Sequence, residues 1–121
     1  MYKRQEQAFH DFLGMDKVIW LGRGVAGDDT HGHVDDIARF VGEATILTAV
    51  EPDAKDANHE PLAENLERLK ASRTLDGKQF TLVELPLPWP VVFSGQRLPA
   101  SYANFYIANG LVPVSYTHSA T

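Results

Sequence analysis

The chain has 121 residues, 44% of them apolar, which suffices for one modest core. Its charged residues are interspersed, which argues against wholesale disorder, and the net charge of −5 argues against a nucleic-acid or anionic-membrane surface while mildly favouring cationic ligands. It contains no cysteine, so within these residues there is no disulfide, no thiolate nucleophile and no cysteine-based zinc site.

The chain order is as follows. Glu6–Leu13 places Ala8, Phe9, Phe12 and Leu13 on one face of a short helix, with Gly14 as its stop. The opening MYKRQEQAFHDF lacks the apolar segment of a signal peptide, and no apolar run has membrane-spanning length, so a cytoplasmic location is expected. Val18–Leu21 reads as a buried strand. After a Gly/Asp/His connection, Ile37–Val41 reads as a strand that turns near Gly42-Glu43 into Thr45–Val50, a run rich in β-branched residues. His59–Arg73 is the clearest helix: Leu62, Leu66 and Leu69 recur at helical spacing, Asn58 is placed to cap it and Pro61 falls in its first turn. Asp76-Gly77 turns the chain into a strand over Phe80–Leu87. Gly95-Gln96 marks a further turn. Ser101–Asn109 is expected as a strand with Tyr102, Asn104 and Tyr106 on one face and Ala103, Phe105 and Ile107 on the other. Leu111–Val114 is expected to begin one more. No repeat or domain boundary interrupts this order, so residues 1–121 read as a single unit.

The chemistry is concentrated in Gly22–Asp36, GRGVAGDDTHGHVDD, which packs four glycines, two histidines and four aspartates into one connection. If His33 and Asp35 lie in extended backbone, their side chains share a face, because the strand period is two. An imidazole beside a carboxylate is a usable acid/base pair. A hydrogen-bonded pair that merely orders the loop has the same spacing. His10, His59 and His118 have no partner pattern and read as surface residues. A metal site is a third reading: Thr30-His31-Gly32-His33-Val34-Asp35-Asp36 is similar to the T-H-x-H-x-D-H motif of metallo-β-lactamase-fold hydrolases, with His31, His33 and Asp35 as ligands and Asp36 in place of the final histidine.

A broader resemblance covers most of the chain. Val18-Ile19-Trp20-Leu21, Gly27-Asp28-Asp29-Thr30 and Gly32-His33-Val34-Asp35-Asp36 resemble the V-I-W-L, G-D-x-T and G-H-V-D-N pattern of the agmatine deiminase family, which shares fold and chemistry with the bacterial peptidyl-arginine deiminases. A second block, Arg97 to Gly110, RLPASYANFYIANG, agrees in the right order, and a metallo-β-lactamase has no reason to carry it. Asp36 departs from the family's usual Asn.

The resemblance implies an α/β fold, the pentein propeller of five ββαβ-type blades, of which this chain would supply about two as an incomplete deiminase-like domain. It implies hydrolysis of a guanidinium to a ureido group with release of ammonia, without metal or organic cofactor. With agmatine, a small cationic guanidino partner, the product is N-carbamoylputrescine, a step toward putrescine. By the matching motif His33 would be the general acid/base, Asp35 would pair with the guanidinium nitrogens, and Asn104 would line the site. The rest of the block from Arg97 would hold the fold. The family's cysteine nucleophile and a further substrate-binding acidic residue lie outside the matched motifs, so this chain alone is expected to be inactive. No nucleic-acid or membrane partner is expected, and a homo-oligomer is left open for the full-length parent. A non-catalytic fragment is the remaining alternative.

Both ends read as foreign. Met1–Gln5 and Val114–His118 resemble translations of the two orientations of a transposon end used in sequencing libraries, so genuine family sequence is expected over residues 6–113.

Overall fold

A computed structural model describes residues 2–28 and 32–112. Its centre is a three-stranded sheet of β1 (Ala38–Gly42), β2 (Thr45–Val50) and β3 (Thr81–Pro86) in the order β1-β2-β3. β1 and β2 form an antiparallel hairpin with Phe40 opposite Ile46. β2 and β3 run parallel with Thr48 opposite Glu84. A parallel pair needs a crossover, and α2 (His59–Ala71) supplies it. The β-branched run of β2 therefore occupies the central position, where Ile46, Thr48 and Ala49 are buried.

Leu62 and Leu69 of α2 are buried, as their spacing requires. The core joins Leu62 to Val25, Ile37 and Ala49, with Leu21, Ala38 and Leu87 packed against it. The core thus sits where the sheet, the helix and the polar connection meet. α1 (Tyr2–Leu13) begins earlier than the apolar face alone suggests and buries none of its residues. It ends at Gly14, whose φ of 65° and amide bond to the His10 carbonyl at 3.0 Å make a left-handed cap. A small hairpin, β4 (Val92–Phe93) with β5 (Gln96–Arg97), turns at Ser94-Gly95. Among the described residues no helix is long and apolar enough to cross a membrane.

Four expectations are corrected. Val18–Leu21 forms no strand. It is held by side chains: the Trp20 indole N–H donates to Glu6 at 2.7 Å and its ring lies 4.5 Å from that of Tyr2. Ser101–Asn109 also forms no strand, although Ala108 makes an isolated bridge to Leu111. The Phe105 amide bonds back to the Ala103 carbonyl and the Ala103 amide to the Ser101 hydroxyl, so local turns replace a ladder. Asn58 precedes α2 but makes no side-chain cap; its side chain is used elsewhere. α2 stops at Ala71 rather than Arg73, because Arg73 bridges to Gln79 across the Asp76-Gly77 turn. Residues 113–114 of the last expected strand lie outside the described residues, as does Met1.

Candidate functional site

The connection before β1 is shaped by two buried asparagines of the α2 region. Asn65, fully buried, accepts the Gly22 amide at 2.6 Å and donates to the Arg23 carbonyl at 2.8 Å. The Asn58 carbonyl oxygen accepts the Ala26 amide at 2.6 Å. Backbone groups that no sheet satisfies are thereby paired inside the core. The chain then folds back so that Gly24 crosses Gly32, where a side chain on Gly24 would collide with the Gly32 backbone. Gly27, at φ 93°, lies directly under the Arg97 carbonyl.

This path delivers Asp28 to the start of the His33 segment. One carboxylate oxygen, Oδ2, accepts the amides of Gly32 at 3.0 Å and His33 at 2.7 Å. The other, Oδ1, stands 3.7 Å from His33 Nδ1, an ion-pair separation. The Asp28 side chain is 3% exposed and the His33 side chain 58%. His33 is extended, but Val34–Asp36 closes into a single 3-10 turn. His33 and Asp35 therefore do not share a strand face. In a 3-10 turn residues three apart eclipse, which brings Asp36 rather than Asp35 alongside His33. Ligand-type atoms of Asp28, His33 and Asp36 all lie within 4.8 Å of one another.

Asp36 is buried, whereas Asp35 is half-buried. Burial pushes the Asp36 carboxyl above its ordinary value, and the neighbouring Asp35 charge pushes the same way; a hydrogen bond with Asn104 pulls it back. The Arg97–Gly110 block forms the wall beside this turn. Ser101 donates its hydroxyl to the Asp36 carbonyl at 2.7 Å, and Arg39 donates to the Ala103 carbonyl at 3.0 Å with its guanidinium 5.4 Å from the Phe105 ring centre. Arg97 pairs with Asp56 at 2.8 Å.

The structure thus brings together His33, Asp28, Asp36 and Asn104, with Asp35 adjacent. His31, proposed with His33 and Asp35 as a metal ligand, lies outside the described residues, as do Asp29 and Thr30. The sequence reading missed Asp28 as the companion of His33. The available signal was the Gly27-Asp28 pair, since aspartate readily accepts backbone amides in such a turn.

The α/β core, with one histidine among carboxylates and a second motif block as its wall, has the fold of part of a solved agmatine deiminase, a pentein-type scaffold. The chain belongs to the family described as Porphyromonas-type peptidyl-arginine deiminase, whose family model matches residues 2–120. Agmatine deiminase of Medicago truncatula is 34% identical over 126 residues, covering 88% of this chain and 34% of that protein. A variant of C. jejuni agmatine deiminase, solved with substrate bound, superimposes with a TM-score of 0.79 at 36% identity, covering 91% of this chain and 32% of that one. Agmatine deiminase of Enterococcus faecalis gives a TM-score of 0.80 at 28% identity, covering 93% and 36% of the two chains. The chain spans about a third of the length of the curated relatives it matches.

Proposed function

We propose that this chain is the histidine-bearing part of an enzyme that hydrolyses the guanidinium of agmatine, yielding N-carbamoylputrescine and ammonia. The observation that carries the reading is the placement of His33 beside the buried Asp28 and Asp36 carboxylates, inside the motif by which the chain resembles agmatine deiminases. A guanidinium is a poor electrophile because its charge is delocalised, so its hydrolysis needs carboxylates to hold the nitrogens and a nucleophile at the carbon. A carboxylate-lined corner attracts such a cation. In this reading Asp35 pairs with the guanidinium nitrogens. A cysteine thiolate from outside these residues attacks the central carbon. His33 protonates the departing ammonia and then takes a proton from the water that releases the ureido product and restores the thiolate. The chain has no cysteine, so by itself it would not turn over.

The test is the parent gene expressed whole and supplied with agmatine, arginine or a peptidyl-arginine, with ammonia and the ureido product quantified. Turnover of agmatine, lost in His33→Ala, is expected. A parent that lacks cysteine or turns over none of the three would overturn the reading, as would agmatine turnover by the 121-residue chain alone.

One observation favours a second reading, a metal-dependent hydrolase. The donors Asp28, His33 and Asp36 are close enough to one another to meet at an ion. Stoichiometric zinc retained through dialysis and required for hydrolysis would move the assignment there.

A further inference from the structure

We propose that Asp28 is the positioning residue for His33, holding the imidazole as its Nδ1–H tautomer so that Nε2 is the nitrogen that gives and takes the proton. The inference rests on the reading of His33 as the general acid/base.

The geometry separates the two oxygens of one carboxylate. Oδ2 is committed to the backbone, accepting the amides of Gly32 and His33 at 3.0 and 2.7 Å. Those two bonds orient the carboxylate plane and the start of the His33 segment together. Oδ1 is then directed at His33 Nδ1, 3.7 Å away. A carboxylate oxygen only accepts, so a neutral imidazole that turned its Nδ1 lone pair toward it would oppose two lone pairs; Nδ1–H facing Oδ1 removes that repulsion. The buried carboxylate and the exposed ring suit this division of labour: one is fixed by the fold, the other faces whatever enters the site. Among the described residues the other carboxylates here are Asp36, with a ligand-type atom within 4.8 Å of one on the ring, and Asp35, which acts on Asp36; neither side chain accepts the His33 amide, and Asp36 instead donates its own amide to the His33 carbonyl at 3.3 Å.

A purely structural Asp28 would be replaced without loss by asparagine, whose carbonyl oxygen can accept both amides. The second atom would then be an amino group. It donates to Nδ1 and forces the opposite tautomer, Nε2–H. Asp28→Asn therefore keeps the loop and inverts the ring.

The experiment is 15N NMR of the histidine-labelled chain at a pH where the imidazole is neutral, with the His33 signals identified by their loss in His33→Gln. In the unsubstituted chain Nδ1–H is expected, and in Asp28→Asn the spectrum should switch to Nε2–H with amide dispersion kept. Asp36→Asn should leave the tautomer unchanged. Nε2–H in the unsubstituted chain would overturn the proposal even if Asp28→Asn failed to fold. The same tautomer in both chains, or a switch caused by Asp36→Asn, would also overturn it. No turnover is measured, so a parent without deiminase activity would sink the functional reading and leave this result standing. In an active parent, Asp28→Asn should lower kcat by about 10²–10⁴-fold with KM changed less than about 3-fold. An unchanged kcat would refute the positioning role.

Discussion

Arg97 and Asp56, 41 positions apart, meet through a guanidinium–carboxylate contact of 2.8 Å in which the two side chains are only 23% and 10% exposed. This pair ties the second motif block to the loop that leads into α2. It also places the Arg97 carbonyl over Gly27, one residue from Asp28. The position of the site wall thus depends on an ion pair outside the site.

Removing that pair should loosen the wall. In Arg97→Met, Asp56 keeps a largely buried charge without its guanidinium, and a loss of about 2 kcal/mol is expected, less than for a fully buried pair. The hydrogen bond from Arg97 is the main cause that holds the Asp56 carboxyl below its ordinary value. A depressed carboxyl contributes stability that is complete above its unfolded value, near about 3.9, and lost as pH falls through the lower folded value. Urea midpoints for the two chains should therefore converge below about pH 4. A gap that stays constant down to acid pH would show that the charge pair is not the cause.

Asp36 has the opposite sign. Its carboxyl is raised, first by burial and then by Asp35, so the folded state binds its proton more tightly than the unfolded chain does. Stability from this group is present below the unfolded carboxylate value and declines as pH rises through the raised folded value. Asp36→Asn removes that cost and should stabilise the chain by about 1 kcal/mol at neutral pH, with the gain vanishing in acid. Thermal melts at neutral and acid pH read this directly. A variant that is destabilised at neutral pH would instead mean that the Asn104 contact outweighs the burial cost.

Asn58 distinguishes a cap from a core strut. As a helix cap, serine would replace it at little cost. In the structure its carbonyl oxygen accepts the Ala26 amide, a reach that serine lacks. Asn58→Ser should cost about 1–3 kcal/mol by leaving that amide unpaired, with increased hydrogen exchange at Ala26. Unchanged exchange there would contradict the assignment.

Gly27→Ala tests the packing of the two motif blocks. The added methyl would strike the Arg97 carbonyl, and a φ of 93° is one that an L side chain rarely adopts. A loss of about 2–4 kcal/mol is expected, together with weaker dispersion of the amides from Arg97 to Ala103. Near-normal stability would show that the hairpin can lift away from Gly27.

The strand-strand-helix-strand order from Ala38 to Pro86 was legible because each element carries its own periodicity. The β-branched run of Thr45–Val50 and the Leu62–Leu66–Leu69 spacing point to one answer whatever surrounds them. The Gly14 and Asp76-Gly77 turns were legible for the same local reason. Val18–Leu21 and Ser101–Asn109 were not, since an extended, apolar segment becomes a strand only if a neighbour completes its ladder. Here the Asn65 side chain takes the backbone of Gly22 and Arg23 just after the first segment, and the Ser101 hydroxyl takes the Ala103 amide within the second.

In the site, sequence alone singled out His33 as the candidate acid/base and showed that aspartates are dense around it, because residue type and density need no coordinates. Which carboxylate faces the ring was a tertiary decision. Spacing pointed to Asp35 through an extended backbone, but the Val34–Asp36 turn eclipsed Asp36 onto His33, and the fold-back of Gly24 over Gly32 carried Asp28 in beneath it. A turn three residues long has no periodicity to read, and a contact between backbone crossings has none either. Both follow only from the packing of the loop against α2 and the Arg97 block.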